Sequence, residues 1–188
     1  MVWLILGLAA FLGIHLLPAG PPLRTALAQR FGENRYKGIF SAASGIGLVL
    51  IIVGYAYAPR GAQLFEPLAA ARSLAPLAMV VSFILLAAAN MKAHIRRALK
   101  HPQLIGVGIW SATHLLANGH LKAGVLFGAF LAYVAIDLVS AITRGATKSF
   151  QPLVKHDIIA VAGGTLVALV VMALHRLLFG VPAVAWGL

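Results

Sequence analysis

Six long apolar runs, residues 2–17, 38–57, 74–90, 104–118, 121–142 and 158–179, are separated by short segments that gather almost all of the charge. A helix needs roughly 20 mostly apolar residues to cross about 30 Å of hydrocarbon. The pattern therefore predicts an all-α, polytopic membrane helix bundle of about six transmembrane helices, the first and fourth runs being short for the task. Pro18, Pro21 and Pro22 end the first helix. Leu23 to Phe31 then reads as a short amphipathic helix on the membrane surface. No stretch is left for a soluble domain, so residues 1–188 are expected to form one transmembrane domain. The start of the chain lacks the basic region and small-residue site of a cleaved leader, and a retained first helix is the better expectation.

Composition agrees with lipid as the solvent: 61% of residues are hydrophobic, 10% are charged and the mean hydropathy is +0.95, far from the average soluble domain. The net charge of +11 flanks the apolar runs, which argues for topology and against nucleic acid. Arg24, Arg30, Arg35 and Lys37 fill the first connection, Lys92, Arg96, Arg97 and Lys100 the third, and Arg144, Lys148 and Lys155 the fifth. Only Arg60, Arg72, Lys122 and Arg176 lie on the other side. By the positive-inside rule both termini should lie outside the cytoplasm, in what is expected to be a bacterial inner membrane. Gly124 and Gly128 form a GxxxG pair, and Gly45, Gly47, Gly163 and Gly164 offer other close-approach points, as association in lipid requires whatever the function. Cysteine is absent, which removes disulfides, thiolate metal sites and cysteine nucleophiles.

Seven histidines stand out in so apolar a chain. An ionisable group inside a membrane is costly and marks a functional candidate, whereas His94 and His156 fall in basic connections where solvation suffices. His120 follows Gly119 at an interface, and His175, beside Arg176, is expected to snorkel. His15 and His114 lie inside apolar helices. At about 1.5 Å per residue, His15 is roughly 20 Å from Val2 and His114 about 15 Å from Leu104, so a modest tilt brings them level. His101 and His114 are separated by about 20 Å and roughly 140° on one helix and cannot ligate one iron. A haem iron takes imidazoles from facing helices, and His15 with His114 meets that requirement best. Arg35, Lys37, Arg96 and Lys100 are available for propionates. With four acids, Glu33, Glu66, Asp137 and Asp157, paired-carboxylate chemistry is not expected, and Asp137 should pair with a cation such as Arg144. No Walker A, GxGxxG or GxSxG motif is present.

Residues 101–120, HPQLIGVGIWSATHLLANGH, resemble the signature segment of the NnrU family, which includes bacterial proteins linked to denitrification and the 15-cis-zeta-carotene isomerases. Gly13-Ile14-His15, the stretch from Gly32 to Ser41 (GENRYKGIFS) and that from Leu174 to Gly180 (LHRLLFG) extend the likeness over nearly the whole chain. For the isomerase branch the resemblance implies a haem b held by histidines, matching His15, His101 and His114 here, and cis–trans isomerisation of an apolar polyene such as zeta-carotene. The isomerase segment has a cysteine where this chain has Ser111, so a thiolate ligand is not available. The other branch implies a non-enzymatic accessory or transport factor linked to nitrogen-oxide metabolism. A membrane methyltransferase, suggested by Lys100-His101-Pro102, fits less well, because acids that would bind the methyl donor's amine are missing after Asp157. Membrane lipid is the one partner that every reading requires.

Overall fold

A computed structural model describes residues 1–183. Its elements are α1 (Val2–Leu16), a 3-10 turn (Leu17–Ala19), α2 (Pro21–Phe31), α3 (Glu33–Tyr57), α4 (Ala69–Ala88), α5 (His94–Leu99), α6 (Pro102–Asn118), α7 (Leu121–Thr143) and α8 (Val154–Phe179). Five stretches are long and apolar enough to cross a membrane, namely α1 with its 3-10 turn, α3, α4, α7 and α8. The fourth apolar run is α6, whose 17 residues rise about 25 Å, less than the hydrocarbon thickness. The expected surface helix is α2, started by Pro21 and Pro22 and ended by Gly32 at a positive φ.

The helices pack neighbour to neighbour in the order α3, α1, α7, α6, α4, α8. Leu4, Leu8 and Leu12 of α1 form the main core with Ile51 of α3 and with Ala123, Leu126 and Phe127 of α7. Apolar side chains on the free flanks of α3 and α8, such as Ile46, Ile52, Ile158 and Leu166, stay exposed, as lipid-facing residues should.

Glycine sets the closest approaches. A Cβ on Gly54 would collide with the Leu4 backbone, one on Gly47 would meet Phe11 N at 2.8 Å, and one on Gly7 would meet Ile51 N at 2.6 Å. A Cβ on Gly164 would likewise meet Ile84 Cα at 2.6 Å. Between α4 and α6 the buried Ser82 Oγ donates to Gly106 O at 2.8 Å. Of the glycines singled out in the sequence, Gly47 and Gly164 make such contacts, whereas Gly45, Gly128 and Gly163 face open space and Gly124 meets the Leu64 side chain. The GxxxG pair on α7 is not a helix–helix seam.

The basic connections gather at one end of the layer, where Ser140 Oγ of α7 donates to Ala19 O at 2.9 Å. There Asp157 on α8 accepts from the backbone N–H groups of His94 (3.1 Å) and Ile95 (3.0 Å), capping α5, and takes the His94 ring at 2.7 Å. His156 Nδ1 accepts from Lys92 N at 3.1 Å. His94 and His156 thus tie a turn to α8, where solvation alone was expected. At the other end the segment after α3 folds over the α6–α7 turn, with Leu64 N donating to Gly119 O (2.8 Å) and Leu121 N to Ala62 O (2.9 Å). His120 Nδ1 caps α7 by accepting from Ala123 N at 3.2 Å. Burial, then the Arg60 and Lys122 charges, push this imidazole below its ordinary value, which keeps it an acceptor.

Two outcomes follow from these contacts. Gly54→Leu should destabilise the protein by about 1–3 kcal/mol through overpacking, while Gly128→Leu should stay within about 0.5 kcal/mol; thermal unfolding in detergent compares them. Because the folded imidazole of His120 resists protonation, its contribution is full at neutral pH and is lost as pH falls below the unfolded value of about 6.5. The unfolding temperature should drop on acidification, and less steeply in His120→Asn, which keeps a capping side chain.

Candidate functional site

In three helices a histidine turns its Nδ1–H onto a main-chain carbonyl. His15 donates to Phe11 O at 2.7 Å, His114 to Trp110 O at 2.8 Å and His175 to Val181 O at 2.7 Å. A carbonyl can only accept, so each ring is held with its proton on Nδ1 and its lone pair on Nε2. That is the tautomer a metal-ligating histidine adopts when its other nitrogen is anchored by an outer partner. The first two anchors lie one turn back on the same helix. The third needs a chain reversal: α8 ends at Gly180 in the left-handed region, and Val181 folds back over His175.

The fold brings His114 to His175, with ring centres 6.5 Å apart and ring planes inclined by 25°. With Nδ1 of each ring bonded to a carbonyl, Nε2 is the nitrogen left for a metal, and the two rings are near enough to supply imidazole ligands to one centre. Trp110 and Phe127 lie beside His114, at 5.4 Å and 4.9 Å, and Phe179 lies 4.7 Å from His175. Reading the chain linearly missed His175 as a partner, since nothing in its own neighbourhood announces that α8 and α6 converge at this end.

His15 is elsewhere. Its ring contacts Phe11 at 4.3 Å, Phe40 at 5.2 Å and Tyr133 at 6.5 Å. Phe11, Phe130 and Trp110 stand in a row between it and His114, at successive spacings of 6.1 Å and 5.2 Å. Tyr133 beside His15 and Phe127 beside His114 are six residues apart on α7, about 9 Å along the axis. The two rings therefore have separate sets of neighbours, and the structure does not bring His15 and His114 together as an adjacent pair.

His101 stands at the opposite end of α6 from His114, as its N-cap, and the two do not meet. It lines a cavity of about 670 Å³ together with Arg96 and Lys100. These cations, expected near a haem, lie before the start of α6, whose first residue Pro102 is about 18 Å along the helix from His114. Lys37 pairs instead with Glu33 at 3.5 Å, which also accepts from Arg24 at 3.2 Å. The expected Asp137–Arg144 pair is not formed: Asp137 takes the Tyr133 hydroxyl at 3.2 Å, and Arg144 Nε donates to Ser140 Oγ at 3.0 Å. The buried Ser111 hydroxyl is spent on Val107 O at 2.7 Å. Among the described residues no three metal-ligating side chains converge, so the two imidazoles form a pair and not a cage.

If His114 and His175 share one bound group, removing either should abolish its capture while His15→Ala leaves it intact, which titration of the purified variants with hemin would compare.

The model of the NnrU protein family matches residues 3–183, a span within which His114, His175 and the HPQ segment of this chain all lie. No curated protein and no solved structure matches the chain. With that match covering nearly its whole length, this integral membrane protein belongs to the NnrU family.

Proposed function

We propose that this protein crosses a bacterial inner membrane with six helices, α6 included, both termini outside the cytoplasm, and binds haem b between α6 and α8 to support cis–trans isomerisation of an apolar polyene. The observation that carries the haem reading is the His114–His175 pair, with both Nδ1 protons committed to backbone carbonyls and both Nε2 lone pairs left for iron. The resemblance of the 101–120 segment to the isomerase branch supplies the reaction.

Within that reading the protein's own groups bind and shield. His114 and His175 would hold the iron, and their backbone anchors fix each ring in the tautomer that leaves Nε2 to ligate. Trp110 and Phe127 pack beside His114 and Phe179 beside His175, apolar neighbours that suit a hydrocarbon substrate arriving from the bilayer. Arg72, Lys122 and Arg176 lie toward the same end as the histidine pair, and the first two already bond to backbone carbonyls, Arg72 to Ala117 O (3.1 Å) and Lys122 to Tyr55 O (3.1 Å). When bound, reduced haem supplies electron density that lowers the bond order of a conjugated chain and so permits rotation. Such a reaction asks for no general acid or base, in keeping with the apolar side chains around the two imidazoles.

A visible absorption spectrum of protein purified from haem-replete cells tests the site. Sharp bands on reduction are expected, with the haem content of His114→Ala and His175→Ala falling to a small fraction of the parent and that of His15→Ala little changed. A colourless parent protein overturns the haem reading and leaves the accessory-factor alternative. Loss of colour in His15→Ala with retention in His175→Ala overturns the ligand pair. Co-expression with a cis-polyene should raise the all-trans fraction, and only in variants that keep haem.

A further inference from the structure

At the basic end of the layer a cavity of about 670 Å³ opens between α5, the start of α6, the end of α7 and the segment before α8. Arg96, Arg97, Lys100, His101, Arg144 and Lys148 all line it. Cations in these segments are expected from membrane orientation, but orientation requires only that they lie on one side, not that they surround one space. Five permanent positive charges around a single cavity repel one another, and the apolar helices beside them reduce screening.

The protein offers them almost no counter-charge. Glu33 is taken by Arg24 and Lys37, Asp157 by His94 and the α5 backbone, and Glu66 lies in the segment at the opposite end. Asp137, the one carboxylate in the lining, accepts the Tyr133 hydroxyl and stands seven residues before Arg144, about 10 Å along α7, so a single negative charge is set against five positive ones. Among the described residues no carboxylate makes an ion pair with any of the five cations.

Two of the groups are also held in place. Arg96 donates to Met91 O at 3.4 Å and stacks over the Phe150 ring at 5.2 Å. Lys100 has φ +62°, a positive value that no other described non-glycine residue shares. A non-glycine residue is held there only when its surroundings over-determine the conformation. Arginine forks favour phosphate through paired charge-assisted hydrogen bonds, and a cavity in the range of about 300–1,000 Å³ suits a small-molecule group larger than one phosphate.

We propose that this cavity binds a phosphate-class polyanion, a diphosphate or phosphomonoester group carried by a soluble molecule or by a lipid head group. The site is separate from the histidine pair and does not depend on haem.

The full chain in phosphatidylcholine nanodiscs is titrated with inorganic pyrophosphate and, separately, with soluble short-chain phosphatidic acid. Saturable binding of at least one probe is expected. Pyrophosphate alone points to a soluble ligand, and phosphatidic acid alone to a lipid head group. The double variant Arg96→Gln, Arg144→Gln should weaken binding about tenfold or more, and Arg144→Lys, which keeps charge but loses the fork, should fall between it and the parent. Arg35→Gln with Lys155→Gln removes the same charge at the same end without touching the cavity and should change affinity by no more than about twofold. Absence of saturable binding to either probe overturns the proposal, as does an equal loss in the control pair.

Discussion

In hydrocarbon two helices gain nothing by hiding apolar side chains from each other, so the distance at which backbones meet decides what holds together. Here that distance is set by a few glycines. Gly7, Gly47 and Gly54 let α1 and α3 touch main chain to main chain, and Gly164 does the same for α8 on α4. Larger residues sit where helices stand further apart: Leu4, Leu8 and Leu12 reach across to Leu126 and Phe127 of α7. The result is a layer in which each helix needs its neighbour, with lipid as the remaining wall. The histidine pair and the basic cavity both depend on this order, since α4 packs against both α6 and α8.

Scarcity of acid is the second organising fact. Four carboxylates serve a chain with 15 Lys and Arg, and each one the structure engages is put to a specific use. Asp157 caps a six-residue helix that has little intrinsic stability of its own. Glu33 draws the start of α3 and the surface helix α2 together. Asp137 holds a tyrosine next to His15. What remains is a concentration of positive charge at one end that the protein does not neutralise.

The apolar runs revealed the helices almost directly, because a membrane helix is coded by composition over about 20 residues and needs no partner to be recognised. The breaks at Pro18 and Pro21 and the surface helix that follows were equally plain. Adjacency was not. Distance along each helix gives histidine depth but not neighbours, and the fold sets His15 beside Tyr133 and His114 beside Phe127. His175 looked like a snorkelling residue because its partner is 61 positions away and its anchor, Val181, arrives only after the turn at Gly180. Likewise Gly124 and Gly128 had the right spacing for a seam, but spacing on one helix says nothing about which face the next helix takes.

Helix α8 runs unbroken for 26 residues, about 39 Å. Near its first turn it is fastened to α5 by Asp157, and near its last it carries His175. One continuous helix thus serves two regions at once. Near its start it supplies the carboxylate that orders α5 beside the basic cavity, near its end it supplies one imidazole of the histidine pair, and between them Gly164 seats it against Ile84 of α4.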